Sequence, residues 1–306
     1  MKNFAHSLIR RGLSRIIPTE TDRIVNENPQ LWVTPPFHVS GTATTPVVLA
    51  SPHSGRIYPD VFVNTSRQPL ATLRGGEDSY IEELAAPAHA LGPALLYAQF
   101  PRAYCDVNRA AWDMDPRMFD GPVPAFVKPT HRALSGLGSV PRIVADNRAI
   151  YRTRLPFTEA ALRIRDCWMP YHKALAQLLQ DCRAQHGLAL LLDLHSMPDA
   201  LEADCPDFVL GDRHGTSCSG NLIRCAETAL RAQGFSTARN VPYAGGYITQ
   251  HYGRPQEGLH ALQIEMRRSL YMDEETRTKT AGFAHLSQAL AQMTQAILTE
   301  IQPLRS

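Results

Sequence analysis

No stretch of this 306-residue chain approaches the roughly 18 consecutive apolar residues that a membrane-crossing helix needs, so a transmembrane span is not expected. Charge of one sign is equally scarce. The chain has 31 Lys and Arg against 29 Asp and Glu, a formal net charge of +2. No basic run is long enough to track a phosphate backbone, which argues against nucleic acid as a partner. Cys-x-x-Cys pairs are missing. The six cysteines (105, 167, 182, 205, 218 and 225) are scattered, which argues against both a disulfide framework and a structural zinc cluster. There is no Gly-x-Ser-x-Gly elbow, so a serine α/β-hydrolase is disfavoured. The glycine-rich phosphate loops of nucleotide-binding proteins are also absent. Met1 to Ile17 carries Lys2, Arg10, Arg11 and Arg15 among apolar residues. It lacks a continuous apolar core and a cleavage site, so we read it as a surface helix or loosely held arm of a cytoplasmic protein rather than a signal.

What is present is ordinary in amount and unusual in placement. Hydrophobic residues make up 44% of the chain and charged residues 20%, as in a soluble globular protein with a large core. We expect a lead-in over residues 1–45, irregular from 18 onward, and a single α/β domain over 46–306. Residues 112–156, punctuated by Pro and Gly, should form a long loop excursion over the active face. Short apolar runs bounded by turn residues read as buried strands at 46–50, 94–99, 188–194 and 207–211. Helical periodicity is expected at 78–91, 158–186 (kinked at Pro170), 219–233 and 272–301. Strands alternating with helices predict a mixed, largely parallel sheet covered by helices on both faces.

Three of the apolar runs end in chemistry. Val47-Val48-Leu49-Ala50 leads into His53, Leu188 to Leu194 leads into His195, and Ala261-Leu262-Gln263-Ile264 delivers Glu265. Reacting groups in α/β folds collect beyond the carboxyl ends of strands. A catalytic zinc takes about three protein ligands and keeps a position open. His53 and His195 are candidate nitrogen ligands, and Glu77 or Asp78 could supply a carboxylate. Asp78 could instead cap the helix that follows it. Glu265 could act as general base, or it could pair with Arg267 or Arg268. Asp193 lies two residues before His195, on the same strand face, where it could orient the imidazole. Arg109, with Asn108 beside it, could grip a carboxylate in the bidentate way open to guanidinium, or it could pair with Asp106. The run Gly245-Gly246-Tyr247-Ile248-Thr249 suggests backbone bending close to a ligand, and makes Gly246 and Tyr247 candidate substrate contacts.

In order and spacing, Ser51-Pro-His-Ser-Gly, Gly76-Glu-Asp, Asp106-Val-Asn-Arg, Leu192-Asp-Leu-His-Ser, Pro242-Tyr-Ala-Gly-Gly-Tyr-Ile-Thr and Leu262-Gln-Ile-Glu-Met-Arg-Arg-Ser-Leu-Tyr-Met resemble the N-formylglutamate amidohydrolase family over about residues 45 to 295. The resemblance implies a fold related to zinc carboxypeptidases and aspartoacylase. It also implies hydrolysis of N-formyl-L-glutamate to formate and glutamate late in histidine degradation. It further implies zinc as cofactor, His53, Asp78 and His195 as its ligands, Glu265 as general base, and Asn108 with Arg109 as the clamp on the carboxylate of a small-molecule substrate. Carboxypeptidases carry a Glu three residues after the first His; here that position is Arg56, so the carboxylate ligand must come from elsewhere, and Asp78 is preferred to Glu77. Two rivals remain at this level: a carboxypeptidase-like peptidase or N-acyl amino acid deacylase, and a non-enzymatic binding protein for a small acidic ligand.

Overall fold

A computed structural model describes residues 29–32, 34–199 and 205–301. The amphipathic arm expected at Met1 to Ile17 and the first part of the lead-in lie outside these residues. Contacts divide the chain into two compact units. Of the described residues, one gathers those up to Pro36 with 57–76 and 100–173; the other gathers 37–56, 77–99 and those from 174 to 301.

The second unit holds the sheet. In chain order, the strands described are β1 (Phe37–Ser40), β2 (Val47–Ser51), β3 (Ala94–Ala98), β4 (Ile143–Val144), β5 (Arg148–Ala149), β6 (Ala189–Met197), β7 (Phe208–Gly211), β8 (Thr237–Arg239) and β9 (Leu259–Arg267). Seven of them form one mixed sheet in the order β1-β3-β2-β6-β9-β7-β8, and β4 pairs only with β5, in the first unit. Strands β3, β2, β6 and β9 run parallel, β1 is antiparallel to β3, β7 is antiparallel to β9, and β8 is parallel to β7. This is the mixed, largely parallel sheet that the apolar runs imply. β2 and β6 are buried along their full length, because strands covered on both faces have no side to give to water.

Alternation sorts the two faces. Val47, Leu49, Leu190, Leu192, Leu194, Ile264 and Met266 pack with residues of the helices Ile81–Leu84, Ala86–His89, Gly220–Arg231 and Gly282–Ile301 in one apolar core. The intervening residues point the other way. There the short helix Tyr247–Tyr252 packs on β6 and β9, and Thr249 reaches Gln263. The register pairs Asp193 with Gln263 and His195 with Glu265, so these four side chains share that second face at the carboxyl end of the parallel strands.

Several boundaries differ from expectation for local reasons. Strand β1 lies in the stretch read as irregular, and β8 had no signal of its own. The helix expected over 78–91 is two short helices, the first starting at Ile81 behind Tyr80, whose φ of 68° is left-handed. The last helix begins at Gly282, not Met272. The Asp273 carboxylate accepts from the Thr276 N–H and hydroxyl at 2.7 Å each, and such a local bond competes with helix formation. The long helix runs Phe157–Arg163, passes through a π-turn at Ile164–Trp168, and continues as Met169–His186. Pro170 has no N–H for an ordinary helical bond, so a widened turn just before it is where the ladder can readjust.

Within 112–156 the first unit contains the helix His131–Leu134 and the β4-β5 hairpin. The Asp113 carboxylate accepts from the Thr130 N–H (2.7 Å) and hydroxyl (2.9 Å). The Arg163 guanidinium lies 4.2 Å from the Tyr104 ring centroid and donates to the Tyr151 hydroxyl at 2.7 Å.

Candidate metal centre and active site

His53 follows β2 by two residues, His195 lies near the end of β6, and Asp78 sits in the turn before Tyr80. A backbone bond from the Asp78 N–H to the His53 carbonyl (3.1 Å) fixes the two loops against each other. The three side chains are buried, with exposures of 1%, 2% and 1% for His53, His195 and Asp78. One oxygen, Asp78 Oδ2, lies 3.4 Å from His53 Nδ1 and 3.2 Å from His195 Nδ1. One potential ligand atom from each residue lies within 4.8 Å of the others.

The donor set fits zinc. Tetrahedral ligands at about 2.0–2.1 Å from a common zinc stand roughly 3.3–3.4 Å from each other, close to the two separations seen. His195 and Asp78 each have a backing partner. The far nitrogen of His195, Nε2, lies 3.1 Å from Asp193 Oδ2, and Asp193 is fully buried. The second oxygen of Asp78, Oδ1, accepts from the Ser196 hydroxyl (2.9 Å) and from Arg268 Nη2 (3.2 Å). Arg268 Nε donates in turn to the Ser196 hydroxyl at 3.0 Å. Asp78 is therefore no helix cap, since Tyr80 holds that position.

The electrostatics of the cluster are mutual. Burial alone would raise the Asp78 pKa, but hydrogen bonds from His195 and His53 and their charges hold its carboxyl well below the usual range. Burial would lower that of His195, but the Asp193 and Asp78 carboxylates outweigh it and hold the imidazole well above its ordinary value. A carboxylate that stays ionised while buried is in the form a metal requires.

Glu265 is 7% exposed and stands beside His195 across the β6-β9 pair. Its Oε1 accepts from Gln263 Nε2 at 2.8 Å. The neighbouring cations turn to other acids: Arg267 to Asp207 (2.6 Å), and Arg268 to Asp78 and Glu274. Gly246 and Tyr247 open the short helix, and the Gly246 N–H donates to Gln263 Oε1 at 2.7 Å. The Tyr247 ring stacks on His251 at 5.0 Å. His53, Asp78, His195, Glu265, Gly246 and Tyr247 thus belong to one compact unit. Glu77 is buried too, and its carboxylate accepts from the Ser79 hydroxyl at 2.9 Å. Arg56, at the position of the carboxypeptidase Glu, pairs with Glu82 and Glu83.

Asn108 and Arg109 belong to the other unit. Asn108 is buried, with its N–H bonded to Asp106 Oδ1 at 2.8 Å. The expected alternative, an Arg109–Asp106 pair, gives way to Arg102, which lies 3.0 Å from Asp106. Arg109 donates to carbonyl oxygens, Leu137 O and Asn108 O, at 3.1 Å each, and burial pushes its pKa down.

Three roles in this surround escaped the reading of the sequence: those of Gln263, of Ser196, and of Arg268, which was weighed only as a partner of Glu265. Gln263 carried a usable signal, being two residues before Glu265 in a strand and so on the same face. Arg268 carried no signal for its contact with Asp78, since that acid is 190 residues away.

Comparison with known proteins places the chain in a family. The N-formylglutamate amidohydrolase family model matches residues 45–272. A Pseudomonas aeruginosa protein described as N-formylglutamate deformylase is 32% identical over 264 residues, covering 84% of this chain and 91% of that one. One of the same description from Pseudomonas putida is 31% identical over 263 residues, covering 84% and 90%. The crystal structure of an N-formylglutamate amidohydrolase from Ralstonia eutropha superposes with a TM-score of 0.83 at 36% identity, covering 88% of this chain and 99% of that one. On the matched length, the motifs and the shared fold, the chain belongs to the N-formylglutamate amidohydrolase family.

Proposed function

We propose that the protein is a zinc-dependent amidohydrolase that cleaves N-formyl-L-glutamate to formate and glutamate, as a step of histidine degradation in the cytoplasm. The observation that carries the reading is the convergence of His53, Asp78 and His195 beside Glu265, at the strand ends of a chain of this family. His53, Asp78 and His195 would hold the ion. When bound, zinc would supply Lewis acidity, polarising the formyl carbonyl and making water a stronger acid.

The chain's own residues do the rest. The Glu265 carboxylate accepts the proton of the attacking water and passes it to the amide nitrogen as the C–N bond breaks, so glutamate leaves as a free amine. Asp193 holds the His195 ring through Nε2, and Arg268 with Ser196 holds Asp78 through Oδ1. Asn108 and Arg109 hold a substrate carboxylate. A partly desolvated guanidinium whose bonds go to neutral carbonyls supports this role, because it gains most from an anion. Gly246 and Tyr247 border the substrate.

The test is formate release from N-formyl-L-glutamate by zinc-loaded protein, with chelator-treated protein beside it. Turnover lost on chelation and restored by zinc is expected. No turnover by protein carrying stoichiometric zinc would discard the substrate, and full turnover after verified metal removal would discard the metal.

A further inference from the structure

Gln263 is buried, 4% exposed, on the strand face that carries Glu265. A buried primary amide has two donors and one acceptor oxygen to satisfy, and its orientation follows from its neighbours. One neighbour leaves no choice: the Gly246 backbone N–H can only donate. Its 2.7 Å bond therefore assigns the facing atom of Gln263 as the oxygen, and the Thr249 hydroxyl at 3.4 Å adds to the same oxygen. The amide nitrogen is then forced toward Glu265, where it donates to Oε1 at 2.8 Å.

The far end of this chain of bonds is itself held. Gly245 has a φ of +117°, and a Cβ there would come within 2.9 Å of Thr249. A Cβ on Gly211 would come within 2.8 Å of the backbone at Ala244 and Gly245. The Arg213 N–H donates to the Ala244 carbonyl at 2.8 Å, and its guanidinium to the Gly245 carbonyl at 3.2 Å. The glycine turn before the short helix is thus pressed on β7 on one side and bonded to Gln263 on the other.

We infer that Gln263 is a positioning residue for the hydrolytic reaction, transmitting the fixed geometry of the turn at residues 244–249, through Gly246, to the carboxylate of Glu265. Such a residue matters because a base works only within hydrogen-bond reach of its proton, and a carboxylate free to rotate spends time out of line. The inference rests on Glu265 being the base.

The test is a kinetic cycle on the zinc-loaded protein with Gln263→Met, Gln263→Glu, Glu265→Gln and the pair Gln263→Met/Glu265→Gln. Gln263→Glu keeps an acceptor for Gly246; at low pH its carboxyl shares a proton with Glu265, and only where both are ionised is the donor to Glu265 lost, so the high-pH limb of its kcat profile separates aiming from support of the turn. We expect each Gln263 variant to lower kcat about 10- to 100-fold, the range found when partners of site residues are removed. KM should stay within about threefold, with zinc stoichiometry and melting temperature near wild type. In the Glu265→Gln background, Gln263→Met should cost nothing further, since residues acting as a unit are not additive. An unchanged kcat, a loss that tracks zinc content, or full additivity in the pair would overturn the inference. Should Gln263→Met not fold, Gln263→Glu carries the decision on kcat measured above the pH at which the carboxyl pair is fully ionised. Wild-type turnover by Glu265→Gln would instead overturn the base assignment on which the inference rests.

Discussion

Asp78 shows how much a single carboxylate can be asked to do. Oδ2 faces two imidazoles, and Oδ1 takes a hydroxyl and a guanidinium. Burial on this scale is tolerated because every lone-pair direction has a donor or cation nearby. Asp193 plays the simpler part, with one carboxylate oxygen 3.1 Å from the Nε2 of His195. Replacing it with Asn keeps the shape and removes the charge that favours an N–H on that nitrogen. Asp193→Asn should therefore weaken zinc binding about 10- to 100-fold, measured by competition with a chromogenic chelator. An unchanged affinity would show that Asp193 serves the strand and not the metal. At this scale the sequence was legible where alternation applies: Asp193 with His195, and Gln263 with Glu265. Periodicity did not choose which of Glu77 and Asp78 faces the histidines, because adjacent residues in a turn have no fixed period.

At the scale of elements, the long buried strands were the clearest to read and the short edge pieces the least. β6 is nine residues without an exposed position, and its apolar run announces it. β1 and β8 are four and three residues at the two edges of the sheet, held by pairing rather than by their own pattern. The helix Tyr247–Tyr252 was hidden because six residues among glycines show less than two helical turns. Leu192 is fully buried in the middle of β6, and in the apolar core with the covering helices. Leu192→Ala should cost about 2–5 kcal/mol, the transfer loss plus the cavity left in a core that relaxes only partly. Urea unfolding of the two proteins would measure it, and a cost under about 1 kcal/mol would mean that the core closes over the gap.

At the scale of the whole molecule, acid stability is where the charges should register. Asp115 is buried at the start of a short 3-10 turn, and its carboxylate accepts from Arg117 and Arg142 at 2.9 Å. Burial would raise its pKa, but the Arg117 side chain and backbone and the Arg142 guanidinium outweigh it and depress it. A depressed folded value means that the group stabilises the protein above its unfolded pKa of about 3.9, and that this contribution fades as pH falls through the folded value. Asp115→Asn should therefore be less stable than wild type at about pH 7, with the difference shrinking below about pH 4. Paired denaturation curves at the two pH values check the sign, and a gap that widens in acid would contradict it.

The sequence by itself determined the sheet's buried strands, the residues delivered to their ends, and the family to which those motifs belong. Short-range periodicity is enough for the strands, because a strand's alternation depends on nothing but the strand. Only the tertiary structure decided that Asp78 meets both histidines, that Arg268 and Ser196 hold it from behind, and that Gly246 reaches Glu265 through Gln263. These contacts join segments far apart in the chain, and their geometry is set by the register of parallel strands and by turns with left-handed residues such as Tyr80. No local pattern encodes such a meeting, since its energy exists only once the strands have paired.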